Sequence, residues 1–214
     1  MTEQEVLRVL HRVGAVITDS HIVYTSGKHG AVYVNKDAVY PHTHEISNLC
    51  RAIAEQFAND RIEVVIAPAI GGVILSQWIA HRLSQITEKK VFGVYAEKAE
   101  NGEGFIIKRG YDKIVAHKNV LVVEDILTTG GSAKKVIEAV RAIEGNVVGL
   151  GALCNRGKIT PKDVANPPKF FALVNINLEA WDEIECPLCA KNVPINTSVG
   201  KGRDYLIRKK SQSS

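Results

Sequence analysis

Two adjacent carboxylates, Glu124 and Asp125, close the apolar run Val120-Leu-Val-Val and open onto Ile126-Leu-Thr-Thr-Gly-Gly-Ser132. An acidic pair followed by a turn of hydroxyls and glycines suits one kind of ligand, a sugar phosphate. Carboxylates accept hydrogen bonds from vicinal sugar hydroxyls. The N–H groups of a small-residue loop, with the positive end of the helix behind it, hold a phosphate. An ordinary strand–turn–helix connection capped by Ser or Thr would account for part of this pattern. It would not account for the acidic pair and the hydroxyl–glycine turn at consecutive positions.

The elements that must position these groups are legible around them. The apolar run reads as a buried strand, and Val136, Ile137, Val140 and Ile143 recur at helical spacing within 133–143. Upstream, Glu3 to Val13 reads as an amphipathic helix. A β-rich stretch, 15–35, is broken by the turn-like Thr25-Ser-Gly-Lys-His-Gly30. A second helix pattern covers Glu45 to Phe57. Ile62 to Ala67 is a strand candidate, with Pro68-Ala-Ile-Gly-Gly72 and a helix from Val73 to about Leu83 behind it. Val91–Tyr95, Phe105–Ile107, Asn146–Leu153 and Phe170–Ile176 read as further strands. The remainder reads as irregular, with Lys209–Ser214 as a free tail. Alternating strands and helices predict an α/β fold, a doubly wound, mostly parallel sheet flanked by helices. Ligands of such sheets gather beyond the carboxyl ends of the strands. Pro68–Gly72, Asp125–Ser132 and Asn155–Gly157 all fall there.

With 214 residues, 45% of them hydrophobic and 23% charged, the chain suits one sizeable α/β domain and no disordered class. No apolar run is long enough to span a bilayer. The start lacks a secretory layout, so a cytoplasmic protein is expected. A net charge of +4 spread along the chain fits small anionic substrates and gives no basic stripe for nucleic acid. GxGxxG after a strand, GxxxxGK[ST], HExxH and GxSxG are absent. His42, His44 and His117 are expected at the surface or in turns. Of the four cysteines, Cys186 and Cys189 form a lone CxxC with no second ligand pair after it. A reduced structural pair is the expectation there, with redox or metal chemistry, or a site shared between subunits, as alternatives.

The stretch Val120–Ser132 resembles the phosphoribosyl-diphosphate (PRPP) signature of type I phosphoribosyltransferases. The rest of the chain is most similar to the orotate-specific members. The resemblance covers about 20–157 and implies one domain over 1–214. Its parts would be a hood of N- and C-terminal segments (about 1–40 at the N-terminal end), a PRPP-binding core (about 44–157) and an extension (158–214). It implies that residues 124 to 132, namely Glu124, Asp125, Ile126, Leu127, Thr128, Thr129, Gly130, Gly131 and Ser132, bind PRPP. Ile70, Gly71 and Gly72, with Lys98, Lys108 and Arg109, would receive the pyrophosphate. Tyr33 and Val34 in the hood, Thr128 and Arg156 would hold orotate, a planar guanidinium being suited to a carboxylate. Glu124, Asp125 and Lys98 are the catalytic candidates. Ala96–Gly104 resembles a mobile lid that closes over a neighbouring subunit's site, which implies a homodimer. Mg²⁺ would be held mainly by PRPP rather than by direct protein ligands.

The chain departs from that pattern in its lid, where only Lys98 precedes Gly-Glu-Gly and Lys108 and Arg109 follow. Thr25 and Gly71 also stand where many members carry lysine. These departures keep two other readings open, a purine phosphoribosyltransferase and a non-catalytic regulator that senses PRPP.

Overall fold

The computed structural model describes residues 1–100, 102–176 and 179–212. Asn101 of the expected lid and Ser213 and Ser214 of the expected tail lie outside them. The core is built on five parallel strands: β5 (Val64–Pro68), β6 (Phe92–Lys98), β8 (Asn119–Leu127), β9 (Asn146–Asn155) and β10 (Phe170–Asn175). A short β7 (Phe105–Ile106) adds antiparallel to β6, completing a six-stranded sheet of order β10-β9-β8-β5-β6-β7.

Successive strand side chains point to opposite faces, and both faces here are covered. Val65, Ala67, Leu121 and Val123 meet α1 (Glu3–Arg12), α2 (Thr43–Phe57) and α3 (Val73–Thr87). Val64, Ile66, Val120 and Val122 meet α4 (Tyr111–Val115) and α5 (Gly131–Ala142). That is the doubly wound arrangement expected from the alternation of elements. The periodic residues Ile46, Leu49, Ile53 and Phe57 of α2 and Val136, Ile137 and Val140 of α5 are all fully buried. His42, His44 and His117 are exposed.

The N-terminal hood is made of two small antiparallel pairs, β1 (Val16–Ile17) with β4 (Tyr33–Val34) and β2 (Ile22–Val23) with β3 (His29–Gly30). The C-terminal extension is not irregular. It holds α6 (Pro187–Ala190) and α7 (Gly202–Gln212), so Lys209–Gln212 are helical rather than a free tail. Helix α7 buries Tyr205 and sets Lys209 against Glu183. Its other apolar residues, Leu206 and Ile207, are exposed, so no apolar stripe marks the helix in the sequence. The extension folds back on the hood through main-chain pairing, Trp181 with His29 and Ile195 with His21.

Candidate active site

Strand β8 delivers the acidic pair to the carboxyl edge of the sheet. The two carboxyls stay close there, the Asp125 side chain acting directly on that of Glu124. Asp125 is only 5% exposed and meets Lys36 Nζ at 2.8 Å in an ion pair. The Ile126 N–H donates to its Oδ1 at 2.6 Å. Burial works against the Lys36 ammonium, but hydrogen bonds and charge from Asp125 and Asp37 outweigh it and raise its pKa. Glu124 is also buried, and its Oε1 accepts from the Asp125 N–H at 3.2 Å. Burial first, and the neighbouring Asp125 charge second, push its carboxyl well above the usual carboxylate range.

Two loops close on this pair. Pro68–Gly72 leaves the end of β5, with the Ala69 N–H donating to Ala96 O at 2.8 Å and a cis Ala69–Ile70 peptide. A Cβ on Gly71 would lie 2.2 Å from Asp125 Oδ2 and 2.7 Å from Lys36 Nζ. Only glycine lets this backbone come so near the carboxylate. Tyr40 Oη donates to Gly71 O at 2.8 Å and fixes the loop from the hood side. On the other flank Thr128 and Thr129 are exposed. Gly130, at φ +74°, turns the chain into α5. Leu127 is buried and offers this loop only its backbone.

A cleft of about 750 Å³ opens between hood and core. Its lining includes Tyr33, Val34, Lys36, Asp125, Ile126, Thr128 and Arg156, with Tyr24–Ser26 from the hood and Lys201 from the extension. Arg156 Nε donates to Thr128 Oγ1 at 3.0 Å, which holds the guanidinium at the cleft beside the 128–132 loop. The structure thus gathers Tyr33, Val34, Asp125, Ile126, Thr128 and Arg156 around one space. Glu124, Gly71 and the lid cations do not line it. Lys98 is exposed at the end of β6, Lys108 pairs with Glu100 at 3.2 Å, and Arg109 pairs with Glu97 at 2.5 Å. Lys36 and Tyr40 are the site residues that the sequence did not reveal. They follow the last hood strand in no recognisable motif, and only the fold brings them to Asp125.

A family model described as the phosphoribosyl transferase domain matches residues 35–184. The chain belongs to the type I phosphoribosyltransferase family. An orotate phosphoribosyltransferase of Thermoanaerobacter sp. (strain X514) is 36% identical over 91% of this chain and 96% of its own length. That of Pelotomaculum thermopropionicum is 37% identical over 91% and 95%. The solved orotate phosphoribosyltransferase of Aeropyrum pernix matches with a TM-score of 0.63 at 26% identity, covering 79% of this chain and 92% of that one. That of Mycobacterium tuberculosis H37Rv, at TM-score 0.65 and 20% identity over 81% and 96%, shares the phosphoribosyltransferase fold. Among the described residues, no helix is long and apolar enough to cross a membrane.

Proposed function

We propose that this phosphoribosyltransferase transfers the 5-phosphoribosyl group of PRPP to orotate, giving orotidine 5′-monophosphate and pyrophosphate, as a homodimer in the cytoplasm. The observation that carries the base assignment is Arg156, held by Thr128 at the cleft between the phosphate loop and the hood. A guanidinium there matches a base that bears a carboxylate. The 36% identity to orotate enzymes over nearly the full chain supports the same base.

In this reading the 128–132 loop and the α5 N-terminus bind the 5′-phosphate, and Asp125 and Glu124 take the ribose hydroxyls. Both carboxyls then lie near the anomeric carbon, where displacement of pyrophosphate builds oxocarbenium-like positive charge. Pyrophosphate leaves toward the 68–72 loop. Lys36, whose Nζ lies 2.7 Å from the Gly71 Cβ position, supplies a cation from the hood where many family members use a lysine in the loop. Tyr33 and Val34 cover the base. Lys98, Lys108 and Arg109 approach from the lid of the neighbouring subunit. The carboxylate oxygens of Asp125 and Glu124 are the donor type that Mg²⁺ takes, but Lys36 already neutralises Asp125. The carboxylates would therefore reach the ion through PRPP. When bound, Mg²⁺ neutralises the leaving pyrophosphate.

The test is an absorbance assay with purified protein, Mg²⁺, PRPP and orotate, run beside adenine, hypoxanthine and uracil. Consumption of orotate alone is expected. Turnover of a purine alone would remove orotate, and PRPP binding without turnover of any base would make the chain a sensor.

A further inference from the structure

The second ligand pair that the sequence lacks after Cys189 comes from the other end of the chain. His21 and His29, from the hood hairpin, face Cys186 and Cys189 at the start of α6. Their four ligand atoms lie within 4.8 Å of one another. His21, His29 and Cys186 are at most 2% exposed, and both thiols are free. We propose that these four side chains bind one zinc ion, a structural site that staples the C-terminal extension to the hood.

The geometry is that of a tetrahedral N2S2 centre. Ligand bonds of about 2.0–2.1 Å to nitrogen and 2.3 Å to sulfur place N and S about 3.6 Å apart across a tetrahedral edge. His21 Nε2 lies 3.6 Å from each sulfur, and His29 Nδ1 lies 3.3 Å from Cys189 Sγ. The two imidazole nitrogens, 2.8 Å apart, separate by roughly half an ångström when the ion sits between them. His21 Nδ1 lies 2.7 Å from Val193 O. A proton there fixes the tautomer and turns the Nε2 lone pair inward, the usual support for a zinc-bound histidine. With no ion between them, His21 Nε2 accepts from His29 Nδ1, and the two thiols reach these ring nitrogens at 3.3–3.6 Å. Two thiolates and two neutral imidazoles around Zn²⁺ make a neutral centre, which suits burial.

The position gives the site its role. Strands β2 and β3 have two residues each, too short for a hairpin to hold alone. The turn between the two histidines carries Tyr24, Thr25 and Ser26, which line the cleft together with Ala180, Gly200 and Lys201 of the extension. Zinc therefore fixes one wall of the cleft without touching the reacting atoms.

The full chain, freed of any histidine tag and purified without chelator, is analysed for metals, then stripped and titrated with Co²⁺. About one zinc per chain is expected, and the cobalt form should show thiolate charge transfer and the intense visible bands of a tetrahedral site. Cys186→Ser and Cys189→Ser should each lose the charge-transfer intensity of one thiolate, while Cys50→Ala, whose thiol lies in the core, keeps the whole spectrum. Stripping zinc should speed hydrogen exchange in 20–30 and 180–200 and leave β8 and β9 protected. A wild-type chain that takes up neither metal, or whose cobalt spectrum lacks thiolate bands, overturns the proposal, whether or not the variants fold. So does a Cys186→Ser, Cys189→Ser double variant that still binds stoichiometric zinc.

Discussion

Asp125 is the residue at which hood, 68–72 loop and central strand meet: Lys36 pairs with it, Gly71 is small to admit it, and Ile126 N–H anchors it. Asp125→Asn keeps the shape, removes the charge and leaves the Lys36 ammonium with Asp37 as its ion-pair partner. We expect kcat/KM for PRPP to fall about a hundredfold, the cost of losing charged hydrogen bonds to the ribose. Near-normal steady-state kinetics would contradict the assignment. Glu124 yields a pH prediction. A carboxyl whose folded pKa lies above its unfolded value of about 4.3 binds more protons in the native state. Its contribution to stability is therefore lost as pH rises from the unfolded toward the folded pKa. Glu124, raised by burial and by Asp125, should make the wild-type Tm fall across that range. Glu124→Gln should flatten the fall, and parallel Tm–pH curves for the two proteins would refute it. At this scale the sequence brought Asp125, Thr128 and Arg156 to one cleft because they stand beside strand ends in a recognisable run. Lys36 was invisible because its role depends on a hood strand folding back over β8.

Elements with strong periodicity were readable. Helices α2 and α5 and strands β5, β8 and β9 form where apolar spacing demands, since each has a face or faces to bury. The hood strands, two residues each, and α7, with little but Tyr205 buried, carry no such period. They are held by tertiary contacts that spacing does not encode. The start of α5 is where an element and the chemistry meet. Gly130 has φ +74°, and a Cβ there would lie 2.8 Å from Val164 Cγ1. Gly130→Ala should therefore lower stability by about 1–2 kcal/mol. It should also weaken PRPP binding if, as proposed, the N–H groups after this turn hold the 5′-phosphate. Calorimetry and PRPP titration should move together. Lost stability with unchanged PRPP affinity would confine the glycine to folding.

At the scale of the whole molecule the question is where the missing cations come from. The cleft holds Lys36, Arg156 and Lys201, while Lys98, Lys108 and Arg109 line no part of it within one subunit. Helix α3 presents Val73, Ile74 and Trp78 on an open apolar groove, a surface on which a second copy could dock. If the lid serves the neighbour's site, the acidic pair and the lid of one active site belong to different chains. Lys98→Ala should then lower kcat more than it weakens PRPP binding, because the lysine acts on closure. Mixing it with Asp125→Asn after subunit exchange should restore activity. Random pairing makes half the dimers hybrid, and each hybrid has one site with both groups intact, or about a quarter of all sites. Restored turnover near that fraction would place the lid in trans. No gain over the separate variants, with exchange verified by mass, would place Lys98 in its own subunit's site or remove it from the chemistry.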